Sequence, residues 1–209
     1  NPGHAARVRI FTPGAEVPFA GHPTLGTCQA WLWAGGVPRN PGSVIQECGV
    51  GLVEVRQHGD RLAFAAPPLR RTGSIEHDTL EQLCLALGLS PGQVRAHQWV
   101  DNGGGFCALL LDSAETVLAV KPHLQALGDL KVGIVAPHPQ GGPADFEVRA
   151  FVPALGIGED PVTGALNAGL AQWLFGAGLA HNPYTVRQGT CLGHDGRVYL
   201  SLQADQVWV

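Results

Sequence analysis

Val148-Arg149-Ala150-Phe151-Val152-Pro153 leads to Glu159-Asp160-Pro161-Val162-Thr163-Gly164 and an apolar run ending near Gly178. An earlier stretch has the same order: Val8-Arg9-Ile10-Phe11-Thr12-Pro13 leads to Gly21-His22-Pro23-Thr24-Leu25-Gly26 and an apolar run ending near Gly36. The chain therefore reads as two diverged copies of one unit, each a strand ending in Phe-x-Pro, a loop, and a proline that opens a helix. Proline suits a first helical turn because its missing N–H needs no partner there and its φ is already helical. The spacing predicts helices over Thr24 to Trp33 and Val162 to Phe175. Both are apolar or small on nearly every face, as in helices surrounded by protein, and both end in glycines suited to a left-handed turn.

The surrounding sequence has the punctuation of an α+β protein. With 209 residues, 45% of them hydrophobic, the chain can bury a core and divide into two domains. Ser43 to Cys48, Leu52 to Gln57 and Arg61 to Ala65 are short runs separated by turn residues, an antiparallel meander. Asp78-Thr79-Leu80-Glu81 has the form of a capping box opening a peripheral helix that ends at Gly88. Gln98 to Val100 and Phe106 to Leu111 flank Asp101-Asn102-Gly103-Gly104-Gly105, either a plain glycine loop or a turn that approaches a ligand. Pro122 confines the next helix to Pro122 to Leu127. Leu130 to Ala136, Phe146 to Phe151, Tyr184 to Arg187, Arg197 to Leu202 and Val207 to Val209 complete the strands. The expected architecture is two similar domains, residues 1–112 and 113–209, each a curled, mainly antiparallel sheet around a central helix.

A net charge of −4 offers no basic field for nucleic acid, and no apolar stretch is long enough to span a membrane. Five cysteines without a Cys-x-x-Cys pair argue against a metal knuckle or a disulfide framework, and imply a reducing, cytoplasmic setting. Cys28 and the others read as small core residues. Asn1 is no translation start and the chain has no methionine, so the first domain is expected to be truncated at its N-terminus.

Two helix starts, one per copy, are candidate carboxylate sites, since their first N–H groups are unpaired and the helix dipole adds partial positive charge. His22 and Asp160 each immediately precede a proline, so they are expected in equivalent places in the two copies. An aspartate before proline is also an ordinary helix cap. Facing each other across a shared cleft, an imidazole and a carboxylate would form a proton-transfer pair.

The two motifs together, Phe11-Thr12-Pro13 through Glu16-Val17-Pro18-Phe19-Ala20-Gly21-His22-Pro23-Thr24-Leu25-Gly26 and Phe151-x-Pro153 with Glu159-Asp160-Pro161-Val162-Thr163-Gly164, resemble those of the phenazine-biosynthesis (PhzF-like) isomerases. That resemblance implies a diaminopimelate-epimerase type of fold, cofactor-independent isomerisation by proton shift on a small carboxylic acid, and a homodimer. It implies that His22 and Asp160 are catalytic, and that Gly21, Thr24, Thr163, Gly164 and Ala165 bind substrate. Ala165 stands where the family commonly has serine, and the family's general-base glutamate belongs to a segment upstream of the Phe-Thr-Pro strand. Glu16 and Glu159 match positions that are ordinarily glutamate and are not promoted to that base. The alternative is a non-catalytic small-carboxylate-binding protein that has lost the base. The related two-cysteine racemase mechanism is disfavoured, because no cysteine stands at either helix start.

Overall fold

The computed structural model describes residues 6–12 and 14–209. Strands β1 (Ala6–Arg7), β2 (Ile10–Phe11) and β3 (Glu16–Val17) precede helix α1 (Gly21–Trp33), and the meander β4 (Ser43–Cys48), β5 (Gly51–His58) and β6 (Arg61–Phe64) follows. Helix α2 (His77–Leu87), β7 (Val94–Trp99), β8 (Phe106–Leu111), and the short helices α3 (Ala114–Ala119) and α4 (Leu124–Leu127) come next. The chain closes with β9 (Lys131–Pro137), β10 (Phe146–Val152), β11 (Ile157–Asp160), α5 (Gly164–Gly176), β12 (Tyr184–Gln188), β13 (Gly196–Gln203) and β14 (Gln206–Trp208).

The strands form a four-stranded sheet in the order β1-β4-β5-β6, an eight-stranded sheet in the order β14-β13-β12-β10-β9-β8-β7 with β11 on the end of β10, and the hairpin β2-β3. Most pairs are antiparallel. The parallel ones, β1 with β4, β8 with β9 and β10 with β12, are those whose connection runs through a helix. Both faces of the larger sheet are covered, so β8 and β10 are buried at every residue. Val148, Ala150 and Val152 turn towards α5, whereas Phe151 joins Leu109, Val132 and Ile134 beneath α2 to α4.

The α+β architecture of curled sheets about central helices is as the sequence predicts, but the sheets divide the chain differently from residues 1–112 and 113–209. Strands β7 and β8 lie in the larger sheet, because β8 pairs with β9 over Phe106 to Leu110. A cut at Asp112 would pass through that sheet. At the chain's end Phe64 and Val209 exchange both backbone hydrogen bonds, at 2.9 and 3.0 Å, so the last residues join the two sheets.

Several helix boundaries also differ. Helix α1 begins at Gly21, with Pro23 as its third residue, and α5 begins only at Gly164, three residues after Pro161. The capping box at Asp78 does not form, because α2 starts at His77, two residues earlier than an Asp78 cap requires, and the carboxylate of Glu76 at the cap position turns to Arg71 and Trp99 instead. Ser90 and Gln93 form the box that exists, on the 3-10 turn before β7. Two short helices flank Pro122, the first capped by Ser113. Pro13 lies outside the described residues.

The central helices are not equally enclosed. Helix α5 is buried along most of its length, as expected, whereas α1 leaves Trp33 82% exposed, because the smaller sheet covers only part of its circumference. This asymmetry gives matched glycines opposite roles. A β-carbon at Gly169 in α5 would collide with the Val100 carbonyl oxygen, whereas one at Gly26 in α1 would meet nothing within 4 Å. Gly169→Ala is therefore expected to cost about 1–3 kcal/mol through overpacking. Gly26→Ala should add roughly 0.5–1 kcal/mol through helix propensity. Denaturant melts of the two variants should shift in opposite directions.

Candidate active site

Helices α1 and α5 meet end to end at their first residues. A β-carbon built on Gly21 would lie 2.7 Å from the Gly164 α-carbon, and one built on Gly164 would lie 2.8 Å from that of Gly21. Phe64 closes the contact from the side, 2.9 Å from the position a Gly21 β-carbon would take. Glycine is needed at both positions because any side chain would separate the helices. The close approach aims both sets of unpaired first-turn N–H groups at one place.

A cavity of about 240 Å³ opens there, lined among others by Gly21, His22, Asp160, Thr163, Gly164 and Ala165. It brings together residues far apart in sequence. His22 is exposed in the first turn of α1, while Asp160 is the last residue of β11 and is partly buried. Burial pushes the Asp160 carboxyl above the usual aspartate range, opposed by the Thr163 hydroxyl, the nearby His22 and the Val162 N–H. The Thr163 hydroxyl donates to Asp160 Oδ2 at 2.7 Å and accepts from Gln188 Nε2 at 3.0 Å. Gln188 is fully buried, takes the Thr163 N–H on its Oε1 at 3.1 Å, and donates to the Asp160 carbonyl at 3.0 Å. This network fixes the connector between β11 and α5, and with it the carboxylate.

Asp160 is thus no helix cap. Thr163 occupies the cap position of α5, and Asp160 stands on the strand before it. In the alignment of the two helices Gly21 matches Gly164, so His22 corresponds to Ala165 and not to Asp160. The two side chains reach one cavity from non-equivalent positions. Thr24 does not line this cavity: its hydroxyl donates to the Ala20 carbonyl at 2.9 Å, and its own carbonyl accepts from the buried Gln46 at 2.8 Å.

Both glutamates of the repeated motif are committed to arginines. Arg149 Nε and Nη2 donate to the Glu159 carboxylate at 2.9 and 2.8 Å in a buried bidentate pair. Arg9 holds Glu16 in the same way at 3.0 and 2.8 Å, at the surface. The guanidinium of each lies 4.9 Å from a phenylalanine ring, Phe151 and Phe11 respectively. Cys28 is a buried core residue whose thiol burial pushes up, but Cys191 is exposed and not in the core. Among the described residues no cluster of His, Cys, Asp and Glu could hold a metal ion, and no helix is long and apolar enough to cross a membrane.

The cavity also contains residues that the motifs do not point to. Gly103 and Gly104 from the loop between β7 and β8, and Lys131 at the start of β9, form part of its wall. The glycine run carries a sequence signal, whereas Lys131 carries none. A larger groove of about 950 Å³ runs between α1, β5 and β6 on one side and β12 and β13 on the other, sharing Gly21, His22, Val162 and Gly164 with the smaller cavity. Asp160 does not line it, so the smaller cavity is the one where His22 and Asp160 come together.

The phenazine biosynthesis-like protein family (PhzC-PhzF) matches residues 2–207. The chain is 32% identical over 203 residues to the trans-2,3-dihydro-3-hydroxyanthranilate isomerase of Pseudomonas aeruginosa, covering 93% of this chain and 69% of that protein. It is 31% identical over 202 residues to antisense-enhancing sequence 1 of Schizosaccharomyces pombe, covering 89% of this chain and 67% of that one. Among solved structures, a PhzF-family phenazine biosynthesis protein of Enterococcus faecalis superposes with a TM-score of 0.74, covering 97% of this chain and 72% of its own, at 24% identity.

Proposed function

The chain belongs to the phenazine biosynthesis-like (PhzC-PhzF) family, an isomerase at the family level, and from that premise we propose that it shifts a proton on a small carboxylic acid bound where α1 and α5 meet. The observation that carries this reading is the convergence of His22, Asp160 and two glycine-started helices on one cavity. First-turn N–H groups hold the carboxylate, since a helix start favours an anion. His22 and Asp160 then exchange a proton with carbon: one accepts it from an acidic C–H conjugated with the carboxylate, and the other returns one at a second carbon. No atoms are gained or lost, and no cofactor is called for. The upward shift of Asp160 suits this role, because an acid-base group works best with a pKa near the operating pH.

Solvent-deuterium exchange tests the reading. Small unsaturated or hydroxylated carboxylic acids incubated with the protein in heavy water should gain deuterium at one acidic carbon, followed by NMR. His22→Ala should slow the uptake. No exchange above the protein-free rate for any acid of a broad panel would reject the isomerase reading.

A further inference from the structure

Lys131, the first residue of β9, is part of the wall of the cavity that His22 and Asp160 also line. Its Nζ donates to the Gly104 carbonyl at 3.1 Å, and a β-carbon on Gly105 would lie 3.9 Å from it. The loop beneath is pinned at several points. Asp101 Oδ1 accepts from the Gly103 and Gly105 N–H groups, each at 2.7 Å. Buried Asn102 donates to the Ala165 carbonyl at 2.8 Å, tying the loop to the first turn of α5. Gly103 and Gly105 have φ of 110° and 75°, a backbone path that glycine adopts without strain.

Among the described residues Lys131 is the only lysine or arginine lining this cavity, and it takes part in no ion pair there. An ammonium has three donors, and the Gly104 carbonyl takes one. We propose that Lys131 is a specificity residue whose ammonium pairs with the carboxylate of the substrate, so that the cavity selects carboxylic acids over neutral molecules of the same shape. The proposal rests on the isomerase site described above. It adds a full positive charge beside the first-turn N–H groups that hold the carboxylate, leaving His22 and Asp160 to handle the proton. Lys131 holds the substrate in place and takes no part in the transfer.

Benzoate and benzamide, alike in shape and different in charge, serve as probes, with binding followed by calorimetry and by backbone amide shifts at residues 103–105. The parent protein should prefer benzoate. Lys131→Gln keeps a donor for the Gly104 carbonyl but removes the charge, and should weaken benzoate binding about tenfold or more while leaving benzamide unchanged. Lys131→Arg should retain the preference. The proposal is overturned if Lys131→Gln binds benzoate as tightly as the parent, if the parent does not prefer benzoate, or if Lys131→Arg loses as much as Lys131→Gln. Because binding is read without turnover, a charge-dependent preference in a protein that exchanges no deuterium would reject the isomerase reading and leave the role of Lys131 standing.

Discussion

Asp160→Asn is expected to slow proton exchange about 10²- to 10⁴-fold, the usual loss when a positioned acid-base group is removed, while raising the melting temperature at neutral pH. The two effects have one cause. Burial raises the Asp160 pKa in the folded protein, whereas an unfolded aspartate titrates near about 3.9. A carboxyl whose folded pKa is raised favours folding only while protonated. Stability therefore falls as pH rises from the unfolded value through the folded one, and stays reduced above it. Asparagine carries no charge at any of these pH values, and its carbonyl oxygen can still accept the Thr163 hydroxyl. The gain in melting temperature should be present at pH 7 and vanish near pH 3, where the parent's carboxyl is also neutral. Thermal melts at the two pH values, beside exchange rates, check both halves. A variant destabilised at pH 7 would mean that the carboxylate supports the fold, contrary to the burial that raises its pKa.

The duplication was legible in the sequence because each copy keeps the residues that its geometry needs. Arginine, phenylalanine and glutamate recur because the same bidentate pair and the same ring contact occur in both hairpins. The register was less legible. Aligning the copies on Pro23 and Pro161 makes His22 and Asp160 equivalent, but Pro161 stands three residues before α5 begins. Aligning the helices without a gap matches Gly21 with Gly164, Gly26 with Gly169, Gln29 with Gln172 and Gly35 with Gly178. The glycines at the helix contact are thus better markers than the prolines, since a close backbone approach tolerates one residue type and a first turn tolerates many. The placing of β7 and β8 in the larger sheet could not be read, because strand pairing across a helical crossover leaves no local pattern. Lys131 was invisible for a related reason: its role depends on the Gly103–Gly105 loop that β-sheet pairing brings beside it. The unequal enclosure of α1 and α5 was equally hidden, since both helices have the apolar composition of a buried segment.

Arg149→Ala is expected to destabilise the fold by about 3–5 kcal/mol, the range for removing one partner of a buried ion pair, whereas Arg9→Ala at the matching position should leave the melting temperature essentially unchanged. Arg149 and Glu159 have side chains 5% and 10% exposed, against 66% and 46% for Arg9 and Glu16. The Arg149 guanidinium also donates to the Val117 and Val120 carbonyls at 3.1 and 2.6 Å, fixing α3 against β10. Its loss would strand the Glu159 charge and leave two carbonyls without a donor. Water replaces the partner at the surface pair, where exposed ion pairs contribute little. Adding Glu159→Gln to Arg149→Met should recover part of the loss, because most of the cost lies in the abandoned charge. The effect reaches the site through β11: Glu159 immediately precedes Asp160, and their strand pairs with β10 at Ala150 and Phe151. A milder variant, Glu159→Gln alone, should therefore lower proton exchange by displacing Asp160 even where the protein remains folded. If Glu159 were itself the base, that variant would remove a titrating group from the pH profile of exchange. If Glu159 only holds β11 in place, the profile should keep its shape and lose height.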